Sequence, residues 1–314
     1  MQCNGNGAFG YVCRRVLICT ESAAFFYGRR LQLKAKGRAI MKKQTFALIC
    51  AGLCMVVPLF AGGAKDKSAG DDSLTLKDGV LKVGMEIGYP PMEYFEADGK
   101  TPAGFDVQLA KALADKLGLT VEIIDTAWDG IFAGLDTNRY DVIISAVTIT
   151  DDRKKNYDFT MPYIGNGQSI VLRKDSSLAV STPADLTGLK VGYQAETTSD
   201  FFMDKQAAGG LKFEAEEYDK VMNAFDDLRL GRCDAVCADA LVSVSYIAPS
   251  DTPFKMVWQG TPDEYFGVCL KKGNSTLKTE LNKALLELVS DGTLKKISLD
   301  VFKADLVSAA KNSF

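Results

Sequence analysis

The stretch Tyr140-Asp141-Val142-Ile143-Ile144-Ser145-Ala146-Val147-Thr148-Ile149-Thr150-Asp151-Asp152-Arg153 decides how the chain is read. Its first half, Tyr140 to Ile144, is an apolar run of the kind that forms a buried parallel strand. The run stops in small hydroxylated residues and then meets Asp151-Asp152-Arg153, a helix start. A strand that ends this way presents N–H groups and hydroxyls at its carboxyl end, which is where ligands sit in open α/β sheets. Arg153 adds a planar, permanently charged fork that suits a carboxylate.

The same grammar extends outward. Upstream, Val80 to Met85 reads as a strand, and Gly88-Tyr89-Pro90-Pro91 breaks it into a loop. Gly104 to Gly118 reads as an amphipathic helix, with Phe105, Leu109, Leu113 and Leu117 on one face and Gly118 as its stop. Leu119 to Ile124 is the next strand and Trp128 to Leu135 the next helix. With Tyr140 to Ile144 this gives β-α-β-α-β, the pattern of a parallel sheet with helices on its faces. A second unit follows. Ser169–Arg173, Lys190–Tyr193, Cys233–Asp239 and Phe266–Leu270 read as strands. Thr182-Pro183 opens a short helix with Pro at its first position, and Val221–Leu230 is a helix closed by Gly231. Helices over Ser275–Ser290 and Thr293–Phe302 finish the chain.

Composition limits the chemistry. The 314 residues are 47% hydrophobic, enough for two cores. There is no histidine, which removes Ser-His-Asp and Cys-His catalysis and the commonest metal ligand. Three of the eight cysteines, Cys233, Cys237 and Cys269, lie beyond residue 54; with no histidine they make a zinc site an unfavourable reading. Buried apolar thiols are expected, with a disulfide as the alternative in an oxidising compartment. No cofactor is expected. The first 40 residues carry seven Lys/Arg and one acid, residues 41–64 two Lys and no acid, and the net charge of −3 leaves −11 on the body. So acidic a body is a poor partner for nucleic acid or anionic lipid.

Residues 41–64 have the form of a signal peptide: Met41-Lys42-Lys43, an apolar run from Phe46 to Phe60, and small residues at Ala61-Gly62-Gly63-Ala64. Residues 1–40 are then read as translated upstream sequence or an extension, and 65–77 as a flexible leader. Cys50 and Cys54 lie inside the apolar run and follow Ile49 and Leu53, so a lipid anchor is disfavoured and an extracytoplasmic, periplasmic location is expected.

Three strand ends carry ligand-type groups: Ser145, Thr148 and Arg153 in the first unit, Thr197 and Thr198 after Lys190–Tyr193, and Asp239 after Cys233. A cation facing an acid suits a zwitterion, because each isolated buried charge is costly unless paired. Tyr89 and Trp128 follow strands and offer rigid aromatic faces for a side chain. On ordinary grounds Arg153 would instead pair Asp151 or Asp152 on a surface helix, Asp239 would cap the helix after it, and both aromatics would be core residues.

These residues resemble those of the extracellular solute-binding proteins of polar amino-acid ABC importers. The resemblance runs from about residue 80 to 304 and rests on Ile87-Gly88-Tyr89-Pro90-Pro91, Gly104-Phe105-Asp106-Val107-Gln108-Leu109-Ala110, Ser145 to Arg153, Asp158-Phe159-Thr160, Val191 to Thr198, Asp234 to Asp239 and Asp291-Gly292-Thr293. It implies the two-lobed periplasmic-binding-protein type II fold, each lobe a mainly parallel sheet flanked by helices, with a ligand cleft between them. Lobe 1 would span 78–164 and 266–314 and lobe 2 165–265, with crossings near Tyr163–Gly167 and Asp263–Phe266. It implies further that Arg153 holds a ligand α-carboxylate with help from Ser145, Ala146, Thr148 and Thr198, with Thr197 beside them at the ligand. Asp239 would take the α-ammonium, Tyr89 and Trp128 would flank the side chain, and Glu86 would meet its distal end.

Function follows as capture of a free polar amino acid, basic or amide (lysine, arginine, ornithine or glutamine), by hinge closure in a monomer, and its delivery to membrane permease subunits. The chain is expected not to be an enzyme. The alternatives are a secreted cyclohexadienyl (arogenate or prephenate) dehydratase on the same fold, and a ligand-binding sensor component. One departure stands out: Glu196 occupies a position where the family usually has glycine. Its carboxylate either points out of the cleft or joins Glu86 as a second acid at the pocket.

Overall fold

The computed structural model describes residues 73–307. The expected extension and signal peptide, and the leader up to residue 72, lie outside the described residues. The last part of the expected leader packs onto the body: Thr75 is buried, and the Leu76 amide donates to Asp141 at 2.6 Å.

The chain opens with β1 (Val80–Met85), a short ladder of β2 (Tyr94–Phe95) with β3 (Pro102–Ala103), α1 (Phe105–Lys116), β4 (Thr120–Asp125), α2 (Trp128–Asp136), β5 (Val142–Ile143), α3 (Asp151–Asn156) and β6 (Tyr157–Phe159). It passes through β7 (Ile164–Asn166) into β8 (Gln168–Arg173), β9 (Lys190–Gln194), α4 (Thr198–Ala208), β10 (Glu214–Tyr218), α5 (Val221–Arg229), β11 (Ala235–Asp239), α6 (Ala240–Ile247) and β12 (Phe254–Gln259). It returns through β13 (Glu264–Phe266) to β14 (Cys269–Lys271), α7 (Ser275–Ser290) and α8 (Thr293–Phe302).

Two five-stranded sheets result, in the orders β4-β1-β5-β14-β6 and β10-β9-β11-β8-β12. In the first, β1 pairs in parallel with β4 and β5, while β14 runs antiparallel to β5 and β6. In the second, β9 pairs in parallel with β10 and β11, while β8 runs antiparallel to β11 and β12. The two sheets are joined where the chain crosses: β7 and β13 form an antiparallel pair, Ile164 opposite Phe266 and Asn166 opposite Glu264.

The helices form where apolar spacing and caps agree. Phe105, Leu109 and Leu113 of α1 are buried, and Gly118 beyond its end is left-handed at φ 68°. In α7, Leu277, Leu281, Ala284, Leu285 and Leu288 are buried, and the Asn274 side chain accepts the Leu277 N–H at the start. Tyr140 explains two glycines: its ring occupies the space that a side chain at Gly84 in β1 or Gly134 in α2 would need.

Three sequence readings are revised. The Tyr140–Ile144 run contributes only Val142 and Ile143 to the ladder. Phe266–Leu270 is not one strand: it is divided between β13 in the crossing and β14 in the first sheet, with Gly267 pressed against Ile149 between them. The ladders of β10 and β12 have no counterpart in the sequence reading, because β10 is a charged edge strand with little apolar signal. Cys233, Cys237 and Cys269 are buried and free, as the apolar-thiol reading expects. Among the described residues no helix is long and apolar enough to cross a membrane, and no cluster of His, Cys, Asp or Glu could hold a metal.

Candidate ligand-binding site

All ten residues singled out from the sequence, Glu86, Tyr89, Trp128, Ser145, Ala146, Thr148, Arg153, Thr197, Thr198 and Asp239, line one cavity of about 290 Å³ between the two sheets, together with Glu93 and Gln194.

Arg153 reaches the cavity because its own helix is capped. Thr150 is the N-cap of α3, and its hydroxyl accepts the Arg153 N–H at 3.1 Å. Asp151 pairs with Lys154 and Asp152 with Lys155 on the exposed side, which leaves the arginine turned inward. Its guanidinium donates to the Thr148 carbonyl at 3.0 Å and lies 5.3 Å from the ring centres of both Trp128 and Phe132. No ion pair among the described residues includes Arg153. Burial lowers its pKa, the mark of a cation short of countercharge.

Asp239 closes β11 on the opposite wall. It stands at the N-cap position of α6, yet its side chain makes no capping hydrogen bond. It accepts instead from Tyr89 Oη at 2.7 Å, Asn166 Nδ2 at 2.7 Å and Gln168 Nε2 at 3.0 Å. Burial, aided by the nearby Glu264 charge, pushes its pKa up to about 7. Tyr89 thus does more than wall the cleft: its hydroxyl is committed to the acid across it.

Other groups meet across the same gap. Trp128 Nε1 donates to the Glu196 carbonyl at 3.2 Å. Gln194 Nε2 donates to Glu86 Oε2 at 2.8 Å, and the Thr148 and Thr198 hydroxyls lie 3.3 Å apart. Glu86 is buried at the end of β1, and burial raises its pKa to about 7 despite the Gln194 hydrogen bond and the Lys220 charge. Its Oε1 and the Oε1 of Gln194 have no hydrogen-bond partner, and an unmet buried acceptor is costly.

The polar atoms of the strand end are more occupied than the sequence implies. Ser145 accepts the Glu86 N–H and donates to Glu93 Oε1 at 2.6 Å. The Ala146 amide donates to Asp106 Oδ2 at 2.6 Å. The Thr197 hydroxyl donates to the Gln194 carbonyl at 2.7 Å and serves as the N-cap of α4. The Thr198 hydroxyl is bonded to Glu264 Oε2 at 3.0 Å. Glu196 has an exposed side chain and a left-handed φ of 60°. It meets the site only through its carbonyl, which accepts from Trp128 and lies 3.5 Å from Arg153 Nη2. A left-handed backbone favours glycine, and the Glu196 carboxylate stays out of the pocket.

Glu93, Gln194 and Glu264 were not among the sequence candidates. Gln194 had a readable signal, a polar residue at the end of a buried strand. Glu93 and Glu264 had none, because each sits beside the cleft through loop and crossing geometry.

Two sheets joined by a two-stranded crossing, with a cavity between them that opposes a free cation to a carboxylate, define a two-lobed binding protein for a small charged molecule. The chain belongs to the bacterial extracellular solute-binding proteins, family 3, whose description matches residues 81–304. It is 36% identical over 255 residues to the L-cystine-binding protein TcyJ of Escherichia coli (strain K12), covering 80% of this chain and 94% of that one. Among solved structures it resembles an ancestral arginine-binding protein bound to arginine, with TM-score 0.68 and 38% identity, covering 71% of this chain and 98% of that one. It also resembles an ancestral amino acid-binding protein described as a precursor of cyclohexadienyl dehydratase, with TM-score 0.64 and 34% identity over 71% of this chain and 95% of that one.

Proposed function

We propose that the protein captures a free polar amino acid in this cavity and presents it, enclosed, to the membrane permease of an ABC importer. The observation that carries the reading is Arg153, a guanidinium outside any ion pair that lines the same cavity as the buried carboxylate Asp239. An α-carboxylate against Arg153 and an α-ammonium against Asp239 would pair both charges at once. Trp128 and Tyr89 would flank the ligand side chain. The unmet Oε1 atoms of Glu86 and Gln194 suit a distal group rich in N–H donors, hence a basic or amide side chain.

Binding would draw the lobes together about β7 and β13, since contacts to both walls favour the closed state. In this reading lobe 1 comprises 78–164 and 266–314, and lobe 2 comprises 165–265. The protein acts as an extracytoplasmic monomer exported through the segment 41–64, and it is not an enzyme. The names of the relatives, which bind cystine and arginine, support an amino-acid ligand. The test is calorimetry against the twenty amino acids, ornithine and cystine. One feature favours a second reading as a dehydratase: Glu86 is a buried acid with a pKa near 7 beside Trp128, as a general acid requires. Turnover of arogenate or prephenate would show it.

A further inference from the structure

Behind the Ser145–Ala146 strand end lie two acids that the binding reading leaves without a role. Glu93 and Asp106 are both 0% exposed. Neither takes part in an ion pair among the described residues. Glu93 comes from the loop before β2 and Asp106 from the first turn of α1, and the two segments are tied by the Asp106 amide, which donates to the Met92 carbonyl at 2.8 Å. One oxygen of each acid is satisfied: Glu93 Oε1 by Ser145 Oγ at 2.6 Å, and Asp106 Oδ2 by the Ala146 amide at 2.6 Å and Tyr163 Oη at 3.0 Å. The other oxygen of each, Glu93 Oε2 and Asp106 Oδ1, is buried with no donor.

Two buried carboxylates within hydrogen-bonding reach of each other, each with an unmet oxygen and with no cation paired to either, cannot both stay ionised. A single proton resolves the conflict, since a carboxyl O–H on one acid donates to the other. We propose that Glu93 and Asp106 hold one proton between them, carried by Glu93, and that this bridged pair positions Ser145 and Ala146 in the wall of the ligand cavity. The assignment to Glu93 follows from the donors. Asp106 receives an amide N–H and a phenol as well as the shared proton, whereas Glu93 receives only the Ser145 hydroxyl.

The remaining groups around the pair reinforce this. Glu86 at the end of β1 adds a negative charge, and Tyr89 and Tyr163 are neutral phenols. Burial and the Asp106 charge drive Glu93 well above the ordinary carboxyl range, while Asp106 rises to about 7. The pair ties α1 to the strand end, and Ala146, left-handed at φ 47°, is held there by its amide, which donates to Asp106.

The test needs no ligand, so it stands apart from the amino-acid reading. Infrared spectra of the full chain at pH 8 should show the C=O absorption of a protonated carboxylic acid, lost in E93Q. Between pH 5 and 8 the folding equilibrium constant of the wild type, from denaturant titration, should fall by up to about tenfold more per pH unit than that of E93Q. The glutamine amide can replace the bridging proton, so E93Q should keep slow hydrogen exchange at the Ala146 amide, and E93A should speed it at least tenfold. Absence of the acid band in the wild type at pH 8 overturns the proposal whether or not the variants fold. So does a pH dependence in E93Q equal to that of the wild type, or equal Ala146 exchange in E93A and E93Q.

Discussion

Replacing Arg153 by alanine separates its two roles, as a ligand clamp and as a member of the fold. Within the fold the guanidinium gives one firm hydrogen bond, to the Thr148 carbonyl at 3.0 Å, and meets two aromatic faces at 5.3 Å. These are worth about 1 kcal/mol each. Against them stands the cost of holding a half-buried charge outside any ion pair, and desolvation lowers its pKa. The terms oppose one another, so R153A should change stability by no more than about 1–2 kcal/mol, a Tm shift of roughly 2–8 °C. Binding is different, because removing one partner of a buried ion pair costs about 3–5 kcal/mol. Affinity for an α-amino acid should therefore fall roughly a hundred- to several-thousand-fold. Calorimetry with L-arginine, L-cystine and L-argininamide, which lacks the carboxylate, makes the comparison specific. The wild type should reject the amide strongly, and R153A should bind acid and amide alike. A variant that still prefers the free carboxylate by the wild-type factor would refute the assignment of Arg153.

Asp239 and Glu86 both have folded pKa values raised to about 7. A ligand ammonium needs Asp239 ionised, so affinity should fall as pH drops below about 7, by up to about tenfold per unit for each linked group, with proton release measurable by calorimetry in two buffers. Ligand-free stability should run the other way. Carboxyls with raised folded pKa values contribute stability that is fully present below their unfolded values near 4 and is lost as pH rises toward 7, which denaturant titration at several pH values would show. E196G should be tolerated: a non-glycine residue at φ 60° costs about 1–2 kcal/mol and the extra freedom of glycine offsets about 1. Stability should thus hold or rise by up to about 1 kcal/mol, and affinity should stay within threefold because the side chain is exposed; a tenfold loss would return that carboxylate to the pocket. G104A should destabilise by about 2 kcal/mol or more by thermal melting, since Gly104 has φ 117° and a methyl group there would strike the Met92 carbonyl.

Much of this was legible before any coordinates. α1 and α7 carry apolar residues at helical spacing and are followed by glycine at Gly118 and Gly292, and α8 begins directly after Gly292, so these helices fall where the sequence puts them. The ten site residues share one cavity because strand ends in open sheets converge, a rule that the chain at Ser145, Thr197 and Asp239 obeys. What escaped reading was partnership. Nothing in the sequence says that the Tyr89 hydroxyl is spent on Asp239, or that Thr197 caps a helix with the hydroxyl that looks free for a ligand. The Tyr89–Asp239 bond joins residues from different loops that only the fold brings together, whereas the Thr197 hydroxyl is taken by its immediate neighbours, Gln194 and Asp200. Glu264 and Glu93 were invisible for the same reason: each is one acid among 40 Asp and Glu until the fold buries it.

The central claim is that an unpaired arginine and a buried aspartate form the two halves of a zwitterion clamp. Its most direct test is to purify the protein without added ligand, identify any copurified small molecule by mass spectrometry, and titrate the emptied protein with it by calorimetry. One free polar α-amino acid is expected, bound one to one and lost in R153A. A folded protein that carries none, and binds none of the twenty amino acids, ornithine or cystine, would contradict it.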